Sequence, residues 1–319
     1  MVSLVQTVSK FAVPEPLKPY VEIFYTREEL TIIKALDGAA LSREELAARI
    51  DAEFGGMKDF YHFLKIAYRR DAVSKVDTEE GVKYVASPMT SRVNNCATFE
   101  RETWEKIPAK DREAIVGYHY SNFLHGKSML TLEQLRKNGN RVMPLDEIVE
   151  YLKSYSADVI TILPCDCRSK FGSCGHSRNV CISISTALNT PYDRGLGTPV
   201  STDEAVEILK KAEKEGLVHS ADGAAAICNC CACCCYPTRA SLDLGLKGKW
   251  PVVSYVVEMD EEKCVNCGLC VKRCHFGVFA RDAGKITMDA DKCWGCGLCV
   301  SSCPKKALSL RKLAAEEEN

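Results

Sequence analysis

Nothing in this 319-residue sequence approaches the ~18 consecutive apolar residues needed to span a bilayer, which excludes a membrane-crossing helix. An excess of charge is missing too. The 42 basic residues stand against 43 acidic ones, so no global field marks the chain as a binder of nucleic acid or of a charged membrane surface. A local patch stays open. The start, MVSLVQTVSKFAVPEP, has no uninterrupted apolar core after a basic segment and no twin arginine, and we expect a cytoplasmic protein. No GxGxxG follows a strand, no P-loop appears and no flavin or nicotinamide motif is visible. Cysteine is all but missing from the first 164 residues, which hold Cys96 alone.

The other 18 cysteines all lie beyond residue 164. Such a back half is either a disulfide framework of a secreted protein or a set of metal ligands in a reducing compartment. With no export signal, metal ligation is the better reading, and adjacent thiols such as Cys230-Cys231 suit a metal scaffold better than a disulfide network. Cys96 reads as a small buried hydrophobe.

We expect an α+β multidomain chain. Residues 1–25, with Pro14, Pro16 and Pro19, read as an extended arm. A helix opens on Thr26 with Glu29 completing a capping box and Tyr25/Leu30 as a hydrophobic staple; a second opens on Ser42 with Glu45, stapled by Leu41/Leu46. A third, about Met57 to Arg70, has Phe60, Phe63, Leu64 and Ala67 at helical spacing. AVSKV and VKYVA then flank the turn-like DTEEG as a β-hairpin. Three helices and a hairpin within residues 26–90 resemble a winged helix-turn-helix domain. That resemblance implies a third helix able to meet DNA, here with Lys58, Lys65, Arg69 and Arg70, and Lys75 in the wing. His62, Tyr61 and the acidic wing residues Asp77, Glu79 and Glu80 make the surface mixed, so a docking module is the plainer alternative.

Residues 91–145 read as a helical connector. Residues 146–255 read as a cysteine-rich α+β domain: a helix at about 145–155, the buried strand DVITILP, the strand CISIS, and a helix boxed by Ser201 and Glu204 that stops at Gly216. Residues 313–319 form a short acidic tail.

Residues 256–312 contain an internal repeat. EMDEEKCVNCGLCVKRCHFGVFA and TMDADKCWGCGLCVSSCPKKALS align without gaps at an offset of 29 residues. Each copy spells C-x2-C-x2-C-x3-C, first as Cys264, Cys267, Cys270 and Cys274, then as Cys293, Cys296, Cys299 and Cys303. A zinc site favours two CxxC halves separated by a loop, whereas a duplicated triple with a displaced fourth thiol points to iron–sulfur. The segment resembles the two-cluster bacterial ferredoxins. The resemblance implies one [4Fe–4S] cluster on Cys264, Cys267, Cys270 and Cys303, and another on Cys293, Cys296, Cys299 and Cys274. Pro304 follows the fourth cysteine as in that family; the first repeat has His275 instead, a residue placed to tune the second cluster.

Two groups lie upstream: Cys165, Cys167, Cys174 and Cys181, then Cys228, Cys230, Cys231, Cys233, Cys234 and Cys235. Ten thiols suffice for two more four-iron clusters, up to four in total, with a zinc or metallothionein-like site as the alternative. If the second run is extended, Cys228, Cys230 and Cys234 face one way and Cys231, Cys233 and Cys235 the other. Arg168, Lys170 and Arg178 are placed to offset cluster charge, and His176 and His219 are candidate donors to sulfur. CDCR, GLVH after a helix, and ICNCCACCC ahead of the dicluster repeat together resemble 4Fe–4S ferredoxin-type proteins of anaerobic bacteria and archaea. The resemblance implies a cluster-bearing electron-transfer protein working with a redox partner or within a larger oxidoreductase complex. A redox-sensing DNA-binding regulator and an enzyme with a catalytic iron–sulfur site in the middle domain are the alternatives.

Overall fold

The computed structural model describes residues 14–137, 139–155, 159–172, 174–222 and 226–314. Residues 1–13 and 315–319, which belong to the expected arm and acidic tail, lie outside the described residues. The chain divides into two compact units, one running to Ser121 and taking in Thr186–Gly197, the other made of Asn122–Ser185 and the chain from Thr198 onward.

In the first unit the described part of the segment expected to be extended is helical from Glu15 to Phe24. Glu15–Tyr20 forms a 3-10 helix and Val21–Phe24 a short helix (α1), with Leu17, Val21 and Phe24 buried. Proline at the start of the turn supplies a fixed φ without an N–H to satisfy, so Pro14 and Pro16 favour this turn rather than oppose it. Helices α2 (Arg27–Leu36) and α3 (Arg43–Phe54) open on complete capping boxes at Thr26/Glu29 and Ser42/Glu45. Helix α4 (Phe60–Arg69) and the antiparallel hairpin β1 (Val73–Thr78)–β2 (Gly81–Ala86) follow. Helices α5 (Met89–Phe99), α6 (Arg101–Glu105) and the opening turns of α7 (Ala109–Ser128) close the core around Ile32, Leu36, Leu64, Val93 and Trp104. Cys96 is fully buried on α5, and burial pushes its thiol up to about 12. Arg92, also fully buried, pairs with Glu100 at 2.7 Å, and Arg70 joins Glu29 at 2.8 Å to Glu100 at 3.1 Å.

The second unit centres on a seven-stranded sheet. Its strands are β3 (Arg141–Met143), β4 (Ile160–Pro164), β5 (Asn179–Ser183), β6 (Thr198–Val200), β7 (Val218–Asp222), β8 (Ala226–Cys230) and β9 (Val252–Val253), in the order β6-β4-β5-β8-β7-β3-β9. All pairings are antiparallel except β3 with β9. Helices α9 (Leu145–Ser154) and α11 (Thr202–Glu215) contribute Ile148, Leu152, Ala205 and Leu209 to a core shared with Ile160, Ile162, Ile182 and Ile227 of the sheet. Helix α11 opens on the Ser201/Glu204 box and ends at Gly216, matching its sequence signals. Helix α8 (Leu132–Lys137) precedes this sheet, and α10 (Asp166–Phe171) and α12 (Tyr236–Asp243) flank its cysteine groups. The C-terminal segment has β10 (Tyr255–Met259) paired with β13 (Leu308–Lys312), the hairpin β11 (Phe279–Asp282)–β12 (Lys285–Met288), and the short helices α13 (Leu269–Arg273) and α14 (Leu298–Ser301).

Candidate metal centres

The alternation of β5 and β8 explains why the sheet carries sulfur. Ile182 pairs with Ile227, and both belong to the core under α9 and α11. Side chains one residue along point to the other face, so Cys181 and Cys228 come together there, with Cys230 two residues further on the same face. Cys181 and Cys228 are in hydrogen-bond contact, as are Cys228 and Cys230. Cys165 ends β4 beside them and contacts both Cys181 and Cys167. Cys235, at the start of α12, lies 3.4 Å from Cys230 and also faces Cys167. The six sulfurs form a hydrogen-bonded chain in the order 167, 165, 181, 228, 230, 235, drawn into a ring whose two ends, Cys167 and Cys235, feel each other's charge. Its members alternate: hydrogen bonding between neighbouring thiols holds Cys165, Cys228 and Cys235 low and pushes Cys167, Cys181 and Cys230 up.

Cys174, Cys231, Cys233 and Cys234 form a separate group whose sulfurs all lie within 4.8 Å of one another. The simple alternation expected for the 228–235 run therefore fails after Cys230. The strand ends there, Ala232–Cys234 turn, and α12 begins at Tyr236, so Cys234 moves to the group of Cys231 and Cys233 while Cys235 returns to Cys230. Period two holds only while the backbone stays extended.

Charged neighbours sort differently from expectation. Arg168 is 1% exposed, donates Nη2 to the Asn229 carbonyl at 2.8 Å, and places its charge beside Cys165, Cys231 and Cys181. It thus serves both thiol groups. Lys170 instead pairs with Asp166 at 2.6 Å and lies over the Tyr236 ring. Arg178 contributes its carbonyl, which accepts from the Cys165 N–H at 2.7 Å. His219, fully buried, binds no sulfur directly: Nδ1 lies 2.6 Å from Asn229 Oδ1 and Nε2 lies 3.2 Å from Glu213 Oε2. His176 packs edge-on to His275, whose Nε2 reaches the Gly216 carbonyl at 2.7 Å.

Within the ferredoxin-like repeat, a partly open cavity is lined by Cys264, Cys267 and Cys270 together with Cys303 of the other copy. Cys274 lies with Cys293, Cys296 and Cys299, and burial pushes Cys296 up to about 12 and Cys299 higher still. A site that disfavours free thiolates this strongly suits a bound cation that supplies the missing charge. Backbone N–H groups also point at sulfur: Gly295 and Val257 donate to Cys293 Sγ at 3.3 and 3.4 Å, and Ala307 donates to Cys303 Sγ at 3.3 Å. Both thiol sets have the number and chemistry of donors that a four-iron cluster takes.

The sequence pattern also passed over three residues. Trp294 and Phe276 stack at 5.0 Å and 20° within a cluster that includes Cys230 and Cys296. Gly295 packs its α-carbon against the Tyr255 backbone so closely that a Cβ has no room. A tryptophan and a phenylalanine in cysteine loops were a signal; their meeting needs the fold.

Residues 257–310 match the family model of the 4Fe–4S dicluster domain. No curated protein and no solved structure matches the chain. A ferredoxin-type module at the C-terminus, with a cysteine-rich region before it, is consistent with iron–sulfur electron transfer. Among the described residues no helix is long and apolar enough to cross a membrane.

Proposed function

We propose that the protein carries electrons singly between a redox partner and an acceptor, with the dicluster module at one end of the path and the six-thiol ring at the other. Iron–sulfur clusters, when bound, supply reversible one-electron chemistry. One observation carries the reading. Cys230 of the ring and Cys296 of the module pack in the same apolar cluster, filled by Val142, Val218, Val253 and Leu298 and by the stacked Phe276–Trp294 pair. An apolar, packed bridge of this kind shortens the gap between two thiol sets.

The ligand sets in this reading are Cys264, Cys267, Cys270 and Cys303 for one [4Fe–4S] cluster and Cys293, Cys296, Cys299 and Cys274 for the other. Cys165, Cys167, Cys181, Cys228, Cys230 and Cys235 are near only to their neighbours in the series and do not all lie within 4.8 Å of one another, so they are read as donors to a third, larger iron–sulfur centre, more donors than a cubane uses. Hydrogen bonds brace the two regions: Ser301 Oγ donates to Glu213 Oε1 at 2.7 Å, and Arg273 donates to the Lys214 carbonyl at 2.8 Å.

The front unit is read as a winged-helix-like docking module for the redox partner. Its helices and hairpin follow the order such a domain needs, and two of the five basic residues assigned to DNA contact are engaged within the unit. Arg70 is held by Glu29 and Glu100, and Lys75 pairs with Asp193 at 3.2 Å while lying over the Tyr68 ring. A gel shift with genomic DNA that changed on oxidation would reverse this preference.

The relay is tested by Trp294→Leu in the full chain, purified anaerobically and followed by freeze-quench EPR after one-electron reduction. Iron and sulfide content should stay at the wild-type level while equilibration between the ring centre and the module slows by about tenfold or more. Unchanged equilibration in a fully loaded variant refutes the path.

A further inference from the structure

We propose that Cys174, Cys231, Cys233 and Cys234 hold a single tetrahedral metal ion, zinc or one iron, and not a four-iron cluster. Cys174 Sγ lies 3.7 Å from Cys231 Sγ and 3.8 Å from Cys234 Sγ, and the Cys233 and Cys234 sulfurs are 3.6 Å apart. Four thiolates bonded at ~2.3 Å to one tetrahedral ion stand about 3.8 Å from each other. Around a cubane the cluster's own iron and sulfide lie between the thiolates and hold them roughly 6 Å apart. The observed spacing is that of the single ion.

The chain supplies its own comparison. Among the described residues this is the one group whose ligand atoms all lie within 4.8 Å of one another. Cys264, Cys267, Cys270 and Cys303 instead surround a cavity. Chain spacing agrees with the difference. The ferredoxin repeats separate their first three thiols by two residues, room enough to wrap a cluster, whereas Cys233 and Cys234 are adjacent.

The surroundings point to an anionic centre. One divalent ion with four thiolates leaves two negative charges, and Arg168 faces Cys231 from a fully enclosed position. Besides the Asn229 carbonyl it has the Cys231 sulfur as a hydrogen-bond partner, and a cation buried this deeply is costly unless an anion lies beside it. Cys231 and Cys234 are buried, Cys174 is half-buried and Cys233 is exposed, so the ion is enclosed on one side with a single ligand at the surface. Such an ion staples the loop before β5 to the turn after β8, and so fixes the two segments that also carry Cys181, Cys228, Cys230 and Cys235 of the ring.

The test compares the wild-type full chain with Cys174→Ser/Cys233→Ser, both purified anaerobically, by elemental analysis, acid-labile sulfide and X-ray absorption at the metal edge. The expected result is about one equivalent of zinc, or of iron in excess over sulfide, bound by four sulfurs at about 2.3 Å with no short metal–metal distance. The double variant should lose that ion and keep its sulfide content and its ferredoxin EPR signal. Should it lose the EPR signal as well, Cys233→Ser, altered at the exposed ligand, decides by the same stoichiometry. Loss of about four irons with about four sulfides, or a wild-type chain without such an ion, overturns the proposal. Electron transfer is read separately, by redox titration of the EPR signals, so failure here is distinct from failure of the relay.

Discussion

Replacing Gly295 by alanine probes how tightly the second cysteine loop is pressed against its strand. Gly295 has φ +62° and lies between Cys293 and Cys296; a Cβ there would overlap the carbonyl oxygen of Tyr255 and meet its carbonyl carbon at 3.0 Å. The left-handed backbone alone costs alanine about 1–2 kcal/mol. The overlap falls on the backbone of β10, which is fixed by the Tyr255–Lys312 pairing with β13, and forcing an added methyl into such a contact costs about 1–3 kcal/mol more. The total of about 2–5 kcal/mol is a large share of the ~5–15 kcal/mol that holds a domain together. The shift also pulls the Gly295 N–H off Cys293 Sγ. Gly297→Ala is the control. Its φ is +80°, but the nearest atoms its Cβ would meet are Leu310 Cδ1 and Pro144 Cβ at 3.5 Å, ordinary van der Waals contact, so the backbone cost alone applies. Urea unfolding of the loaded, anaerobic protein, followed by cluster absorbance and by EPR, should show Gly295→Ala losing about 1–3 kcal/mol more stability than Gly297→Ala. The signal from the Cys293 set should go first. Equal losses in the two variants would refute the reasoning, because they would mean that β10 yields freely.

Three further outcomes are expected. Cys303→Ser should remove the same cluster as Cys270→Ser and spare the one lost in Cys299→Ser, as judged by EPR; pairing of Cys303 with Cys299 instead would contradict the crossed ligand sets. Glu100→Gln leaves Arg92 buried beside a neutral partner and should cost about 3–5 kcal/mol in urea unfolding at neutral pH. Burial works to raise Glu100, yet Arg70 and Arg92 hold its pKa below the ordinary 4.5. Its contribution is therefore complete above about 4.5 and is lost as pH falls through the depressed value, so helical CD should show a shallower acid-side loss of stability in Glu100→Gln. Glu29, raised by burial in the same network, contributes with the opposite sign and is left in place in both proteins. Arg168→Met removes a buried unit charge from beside the ring. For a unit charge at roughly 5 Å and an effective dielectric near 20, Coulomb's law makes the ring centre harder to reduce by on the order of 100 mV, and an unchanged potential would count against Arg168 as its counter-charge.

What the amino-acid order determined by itself was local. Three capping boxes, the stop at Gly216, the hairpin at 73–86 and the duplicated cysteine repeat are each written within a few consecutive residues, where side chains and backbone meet whatever the rest of the chain does. The count of ten upstream thiols was equally legible. Their division was not. It turned on where β8 ends: had the run stayed extended, Cys234 would have faced with Cys228 and Cys230, and Cys235 with Cys231 and Cys233, and nothing in ICNCCACCC marks Cys230 as the last residue of the strand. Cys174 and Cys181, only seven residues apart, also separate, because Cys181 is held in β5 against β8 while Cys174 lies in the loop before it. The meeting of Cys230 with Cys296 across Phe276 and Trp294 depends on packing between segments more than sixty residues apart. Such contacts are set by burial of shared apolar surface, which sequence order does not encode locally. The sequence thus specified which thiols are on offer as metal ligands, and the tertiary structure decided how they are grouped.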